Sequence, residues 1–154
     1  MTPEQFFQQA KEKHDIPADA KLQSSFQFGV AADKLAELVL SGTKTATTSN
    51  YDLYVKDNDP LPGKGAYDVI FDNNDSPICI IQNDDVQVVN YLDVDATHAF
   101  EEGEGDRTLT YWRKEHDNYF SKECQSEGEI FDIENARVVL EKFHVVYPKS
   151  DEID

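Results

Sequence analysis

Apolar residues mark out the elements of this chain by their spacing. Ala32, Leu35, Ala36 and Val39 recur at the interval of a helix face, which predicts a helix over 31–40 with Gly42 placed as its C′ residue. Leu109, Trp112, His116 and Tyr119 share a second such face, with Phe120 beside it, predicting a helix from near Thr108 to near Cys124. At the N-terminus Thr2 can cap a helix, Pro3 suits its first position, and Gln5 completes a capping box. That helix is expected to run to about His14. A short helix over 96–101 can be capped by Asp93 or Asp95. Strand patterns fall at 24–28, 66–71, 78–82, 86–91 and 137–147. Asp72-Asn73-Asn74-Asp75 is a hairpin signal between two of them, and the consecutive strands suggest an antiparallel meander. The stretch 51–58 mixes aromatic and charged residues, which suits the lining or cover of a pocket.

Composition narrows the setting. A chain of 154 residues is most simply one domain, and 39% hydrophobic residues are adequate for one small core. The expected division is a single domain over 1–148 and an acidic tail over 149–154. No apolar run approaches the roughly 20 residues of a membrane span. The first residues show neither a basic nor an apolar leader pattern, so a cytoplasmic location without membrane contact is expected. Cys79 and Cys124 are then expected as free thiols. The net charge of −17, from 31 acidic and 14 basic residues, opposes a polyanionic partner. It favours a small neutral substrate, with RNA open only if Lys44, Lys64 and Arg107 make a local basic pocket. The four histidines are scattered without metal-ligand spacing, so neither a metal nor a cofactor is implied.

The densest candidate chemistry is Ser41-Gly42-Thr43-Lys44-Thr45-Ala46-Thr47-Thr48-Ser49. One amine and many hydroxyls follow a packed helix. A lysine can hold a hydroxyl, take its proton or attract an anion. The competing reading is a helix cap followed by a polar turn.

The pattern Gly42-x-Lys44-x-x-Thr47 resembles the signature of the ASCH domain family, a branch of the PUA-like β-barrels. Phe26-Gln27-Phe28-Gly29, Pro60 to Gly65 and the run from Glu102 to Arg113 resemble it in the same order, so the likeness spans about 26–147. Ser49 stands where the family pattern usually carries an arginine. The resemblance implies an α+β fold with a curved, mostly antiparallel PUA-like barrel and flanking helices. It also implies a catalytic lysine, threonine and glutamate, as in N4-acetylcytidine amidohydrolases. Lys44 and Thr47 match directly; Glu104 is the best placed acid, with Glu102 and Asp106 as neighbours. Gly42, Thr45, Thr48, Ser49, Arg107 and Trp112 complete the expected substrate-binding set, with the Thr45–Ser49 turn offering amides to an oxyanion. Arg107 could instead pair with nearby acids, and Trp112 could pack in the core. Cleavage of single-stranded RNA and non-catalytic binding of RNA or a modified nucleoside are the alternatives.

Overall fold

The computed structural model describes residues 1–29 and 31–149, so all but Lys149 of the expected acidic tail lies outside the described residues. In chain order the elements are α1 (Pro3–Glu12), β1 (Leu22–Gln27), α2 (Ala32–Leu40), β2 (Ala46–Asn50) and α3 (Tyr51–Asp57). There follow β3 (Tyr67–Phe71), β4 (Pro77–Asn90), α4 (Ala96–Glu102), α5 (Leu109–Ser126) and β5 (Arg137–Tyr147). The strands form one sheet in the order β1-β3-β4-β5-β2. It is the expected α+β, PUA-like architecture, curled into a half-barrel with β1 and β2 as its edges.

Two details refine the expected, mostly antiparallel sheet. The sheet is mixed: β1 runs parallel to β3, while the other neighbouring pairs are antiparallel. The long connection through α2, β2 and α3 supplies the crossover that a parallel pair requires. The strands expected at 78–82 and 86–91 are also one strand, β4. The polar run Asn83-Asp84-Asp85 looks like a break, but the ladder absorbs it as a register shift between Asn83 and Asp85 opposite β5.

Helix ends follow local chemistry. Thr2 and Gln5 form the reciprocal capping box of α1. At the end of α2, Thr43 N–H donates to Leu38 O at 3.0 Å and Gly42 N–H to Val39 O at 3.0 Å. This is a Schellman closure, and the φ of +80° at Gly42 explains the glycine. Strand alternation then splits the core. Val69 and Ile80 pack with Phe7 and Ala10 of α1, whereas Ile70 and Ile81 pack with Leu35, Ala36 and Val39 of α2. At the other end, Trp112 and Phe120 of α5 close over Tyr91 and Val138. Among the described residues no helix is long and apolar enough to cross a membrane.

The turn after α4 lies directly against the segment after α2. Thr45 N–H donates to Glu101 O at 2.7 Å. Gly103 has φ +75°, and a Cβ there would stand 2.6 Å from the Thr43 carbonyl oxygen. Gly103→Ala is therefore expected to destabilise the protein by roughly 1–3 kcal/mol through backbone strain and displacement of the Thr43–Lys44 backbone. Urea denaturation of the two proteins measures it, and equal midpoints would contradict this close approach.

Candidate active site

Lys44 leaves the α2 cap and turns its side chain inward, where only 2% of the residue is exposed. Its Nζ donates to Ala46 O at 2.8 Å and to Glu104 Oε2 at 3.0 Å, with Glu102 O at 3.4 Å and Glu102 Oε1 at 3.5 Å. Four oxygens around a group with three N–H donors and no acceptor suit an ammonium. The Phe28 ring lies 5.3 Å from the same nitrogen.

Glu102 ends α4 and is as deeply buried as Lys44. Its Oε2 accepts from Thr48 Oγ1 at 2.6 Å and from Trp112 Nε1 at 2.7 Å, and His98 Nε2 lies 2.9 Å away. Lys142 Nζ approaches His98 Nδ1 at 2.9 Å. Because an ammonium only donates, Nδ1 is the acceptor and Nε2 carries the ring proton toward Glu102 and Thr48. His116 stacks on Trp112 at 4.0 Å and points Nε2 at Glu102 Oε1 from 3.5 Å. Burial alone would raise the Glu102 carboxyl. The Lys44 charge and the two histidines outweigh it and hold the group well below the ordinary glutamate range.

This cluster forms one wall of a cavity of about 630 Å³. Lys44, Thr47, Thr48, Ser49, Glu102 and Glu104 all line it. Glu104 has a side chain 31% exposed, so it meets the cavity more openly than Glu102 does. The Thr47 hydroxyl makes no side-chain hydrogen bond with any described residue. The Thr45–Ser49 segment was expected to be a turn. It is mostly the edge strand β2, with Thr47 opposite Glu141 and Ser49 opposite Val139 of β5. Its β-branched residues suit that pairing. The Thr45 amide is already engaged by Glu101, so it is not free to hold an oxyanion.

The other expected binding residues lie elsewhere. Gly42 is the C′ residue that closes α2 after its cap at Ser41. Thr45 directs its hydroxyl to Glu101 O at 3.4 Å. Arg107 donates to Phe100 O at 3.0 Å and Thr43 O at 3.4 Å, and its guanidinium lies 3.6 Å from the Phe100 ring centroid. Trp112 is buried behind Glu102 and reaches the site only through that carboxylate. Asp106 pairs with Thr108 at the start of α5. The sequence reading missed His98 and His116. The spacings His98–Glu102 and Trp112–His116, each one helical turn, are the signal that could have found them.

An open PUA-like half-barrel with a lysine and two glutamates at the wall of its cavity defines the class of protein. The ASCH domain model matches residues 24–147, and the chain belongs to the ASCH domain family. It is similar to an ASCH domain from Lactobacillus crispatus JV V101, whose crystal structure superposes with a TM-score of 0.84 at 32% identity, over 94% of this chain and 93% of that one. It is equally similar to protein EF3133 from Enterococcus faecalis V583, with a TM-score of 0.84 at 32% identity over 97% and 92% of the two chains. No curated protein sequence matches it significantly.

Glu102→Ala is expected to cost roughly 3–5 kcal/mol, because it removes one of the two carboxylates beside the buried Lys44 ammonium and leaves the buried Thr48, Trp112 and His98 donors without their shared acceptor. The Glu102 carboxyl is lower in the folded protein than in the unfolded chain. Its contribution is therefore present above the unfolded value, about 4.3, and lost as pH falls toward the folded one. Denaturation at neutral pH and again near pH 3 should show the gap between wild type and variant narrowing in acid. A gap that stays constant would contradict an ionised Glu102.

Proposed function

We propose that the protein hydrolyses the amide of an N4-acylated cytosine nucleoside, with Lys44, Thr47 and Glu104 at the reacting centre. The observation that carries this reading is the contact of Lys44 Nζ with Glu104 Oε2 at 3.0 Å on the wall of a cavity that Thr47 also lines. The cavity has the volume of a small-ligand site. Its lining carries five carboxyl side chains against two lysines, which favours a neutral nucleoside over a phosphate chain. RNA cleavage is the weaker reading for the same reason.

The chemistry proceeds in two halves. The Thr47 oxygen bonds to the acyl carbon while Glu104 takes the hydroxyl proton. The Lys44 ammonium offsets the negative charge that grows on the carbonyl oxygen and on Thr47. The carbon–nitrogen bond then breaks, and the N4 amine receives the proton from Glu104. Water next attacks the acyl-threonine, giving up its proton to Glu104. The ester bond breaks, Thr47 recovers its proton, and the acid is released. Glu102 touches none of the reacting atoms; it positions Lys44.

Purified protein should release acetate and cytidine from N4-acetylcytidine. Lys44→Ala and Glu104→Gln should each lower kcat about 10²–10⁴-fold, and Thr47→Ala should abolish the acyl-enzyme route. No acetate from folded wild-type protein would contradict the assignment, and cleavage of a single-stranded RNA by that protein would favour the nuclease reading.

A further inference from the structure

A second polar group faces the same cavity, and the reaction just described does not use it. Glu141 lies in the middle of β5, is 8% exposed, and lines the cavity. Asn83 Nδ2 donates to its Oε1 at 3.1 Å. Its Oε2 makes no hydrogen bond with any described residue. With one oxygen held by Asn83 and the other open to the cavity, the carboxyl is placed to bond to whatever fills it. Glu141 is also the direct cross-strand neighbour of Thr47. Such pairs hold their Cβ atoms about 4.5–5.5 Å apart on one face of the sheet.

We infer that Glu141 is the recognition residue for an acceptor–donor edge of the substrate, the ring N3 and N4–H of the cytosine whose N4 acyl group meets Thr47. This rests on the hydrolase reading for the identity of the substrate. A protonated carboxyl presents one O–H donor and one acceptor side by side. N3 accepts from the first and N4–H donates to the second. The acyl carbon, bonded to N4, is then carried to the Thr47 side of the same face. Uracil presents the opposite order, with N3–H as donor and O4 as acceptor, and does not offer an acceptor at N3 beside a donor at C4.

The surroundings decide which acid keeps the proton. Asp68 on β3 lines the same cavity, but its oxygens accept from Ser24 Oγ at 2.7 Å and Gln23 Nε2 at 3.1 Å. Burial holds the Asp68 carboxyl above its ordinary value, although those bonds pull it part of the way back. Glu141 has a single neutral donor. Burial first, and then the Asp68 charge, push it up to about 7 against the Asn83 bond. Tyr54 of α3 also faces it. The same cavity is lined by Lys34 of α2, Lys44, Glu102 and Glu104, and from α5 by Tyr111, Glu115, His116 and Tyr119.

The test is calorimetric binding of cytidine, the product, at pH 6 and pH 8, beside acetate release from N4-acetylcytidine. Wild type should bind roughly tenfold more weakly at pH 8, as a single proton is lost. Glu141→Gln keeps a fixed donor and acceptor and should bind equally at both values. Glu141→Ala should bind roughly tenfold or more weakly at pH 6. Thermal midpoints check folding, and Glu141→Gln, which keeps an oxygen for Asn83, decides alone if the alanine variant does not fold. Persistent pH dependence in Glu141→Gln, pH-independent binding by wild type, or no cytidine binding would overturn the subsite. Cytidine binding with this signature but no acetate release would uphold the subsite while removing the hydrolase reading. Acetate release without the signature would do the reverse.

Discussion

The contact between the buried Lys44 ammonium and the buried Glu102 carboxylate is the constraint on which the rest of the site depends. Each charge would be costly alone in the interior. Together they draw in the Ala46 carbonyl, the Thr48 hydroxyl, the Trp112 indole and two imidazoles until nearly every donor has an acceptor. That network ties the end of α2, the start of β2, the end of α4 and the first turns of α5 to one point. Glu104, two residues beyond Glu102 and past the tight turn at Gly103, is thereby delivered to Lys44 from the open side. One glutamate holds the lysine from within, and the other meets it at the open cavity.

The cavity is polar in a divided way. Around Lys44 the lining comes from helix ends and the edge strand β2; the sheet adds Asp68 from β3 and Glu141 from β5, the latter beside Thr47 of β2. Five carboxyl side chains are spread over this lining, in keeping with the neutral, hydrogen-bonding ligand proposed. A phosphate chain would meet repulsion in the cavity and from the overall charge of −17.

Much of this was legible in the sequence, for particular reasons. The buried face of α2 is the set Ala32, Leu35, Ala36 and Val39 that its spacing marked out. The α1 capping box, the cap of α5 at Thr108 and the bounds of β5 follow from local chemistry. Long-range pairing was not legible. Nothing local shows that β1 joins β3 in parallel, or that Asn83 to Asp85 continue a strand. The site divided along the same line. Lys44, Thr47 and Glu104, singled out through a short motif and its order in the chain, line one cavity, whereas Arg107 and Trp112 were expected at the ligand because their chemistry allowed it. The fold sends Arg107 to backbone carbonyls and Trp112 behind a carboxylate. Glu141 was passed over because an acid within an apolar strand reveals its burial only when the strand's face is known. Its parity with Val139 and Phe143, both buried, was the available clue.

The single tryptophan gives a direct reading of the central contact, because its indole N–H bonds to Glu102. The decisive measurement is the NMR shift of that one indole proton followed from neutral pH into acid. An ionised Glu102 held by Lys44 should keep the resonance strongly downfield and unmoved through the ordinary glutamate range near about 4.3, and Lys44→Met should bring its transition to higher pH. An indole signal that titrates in wild type at the ordinary glutamate value, or that ignores loss of Lys44, would contradict the account.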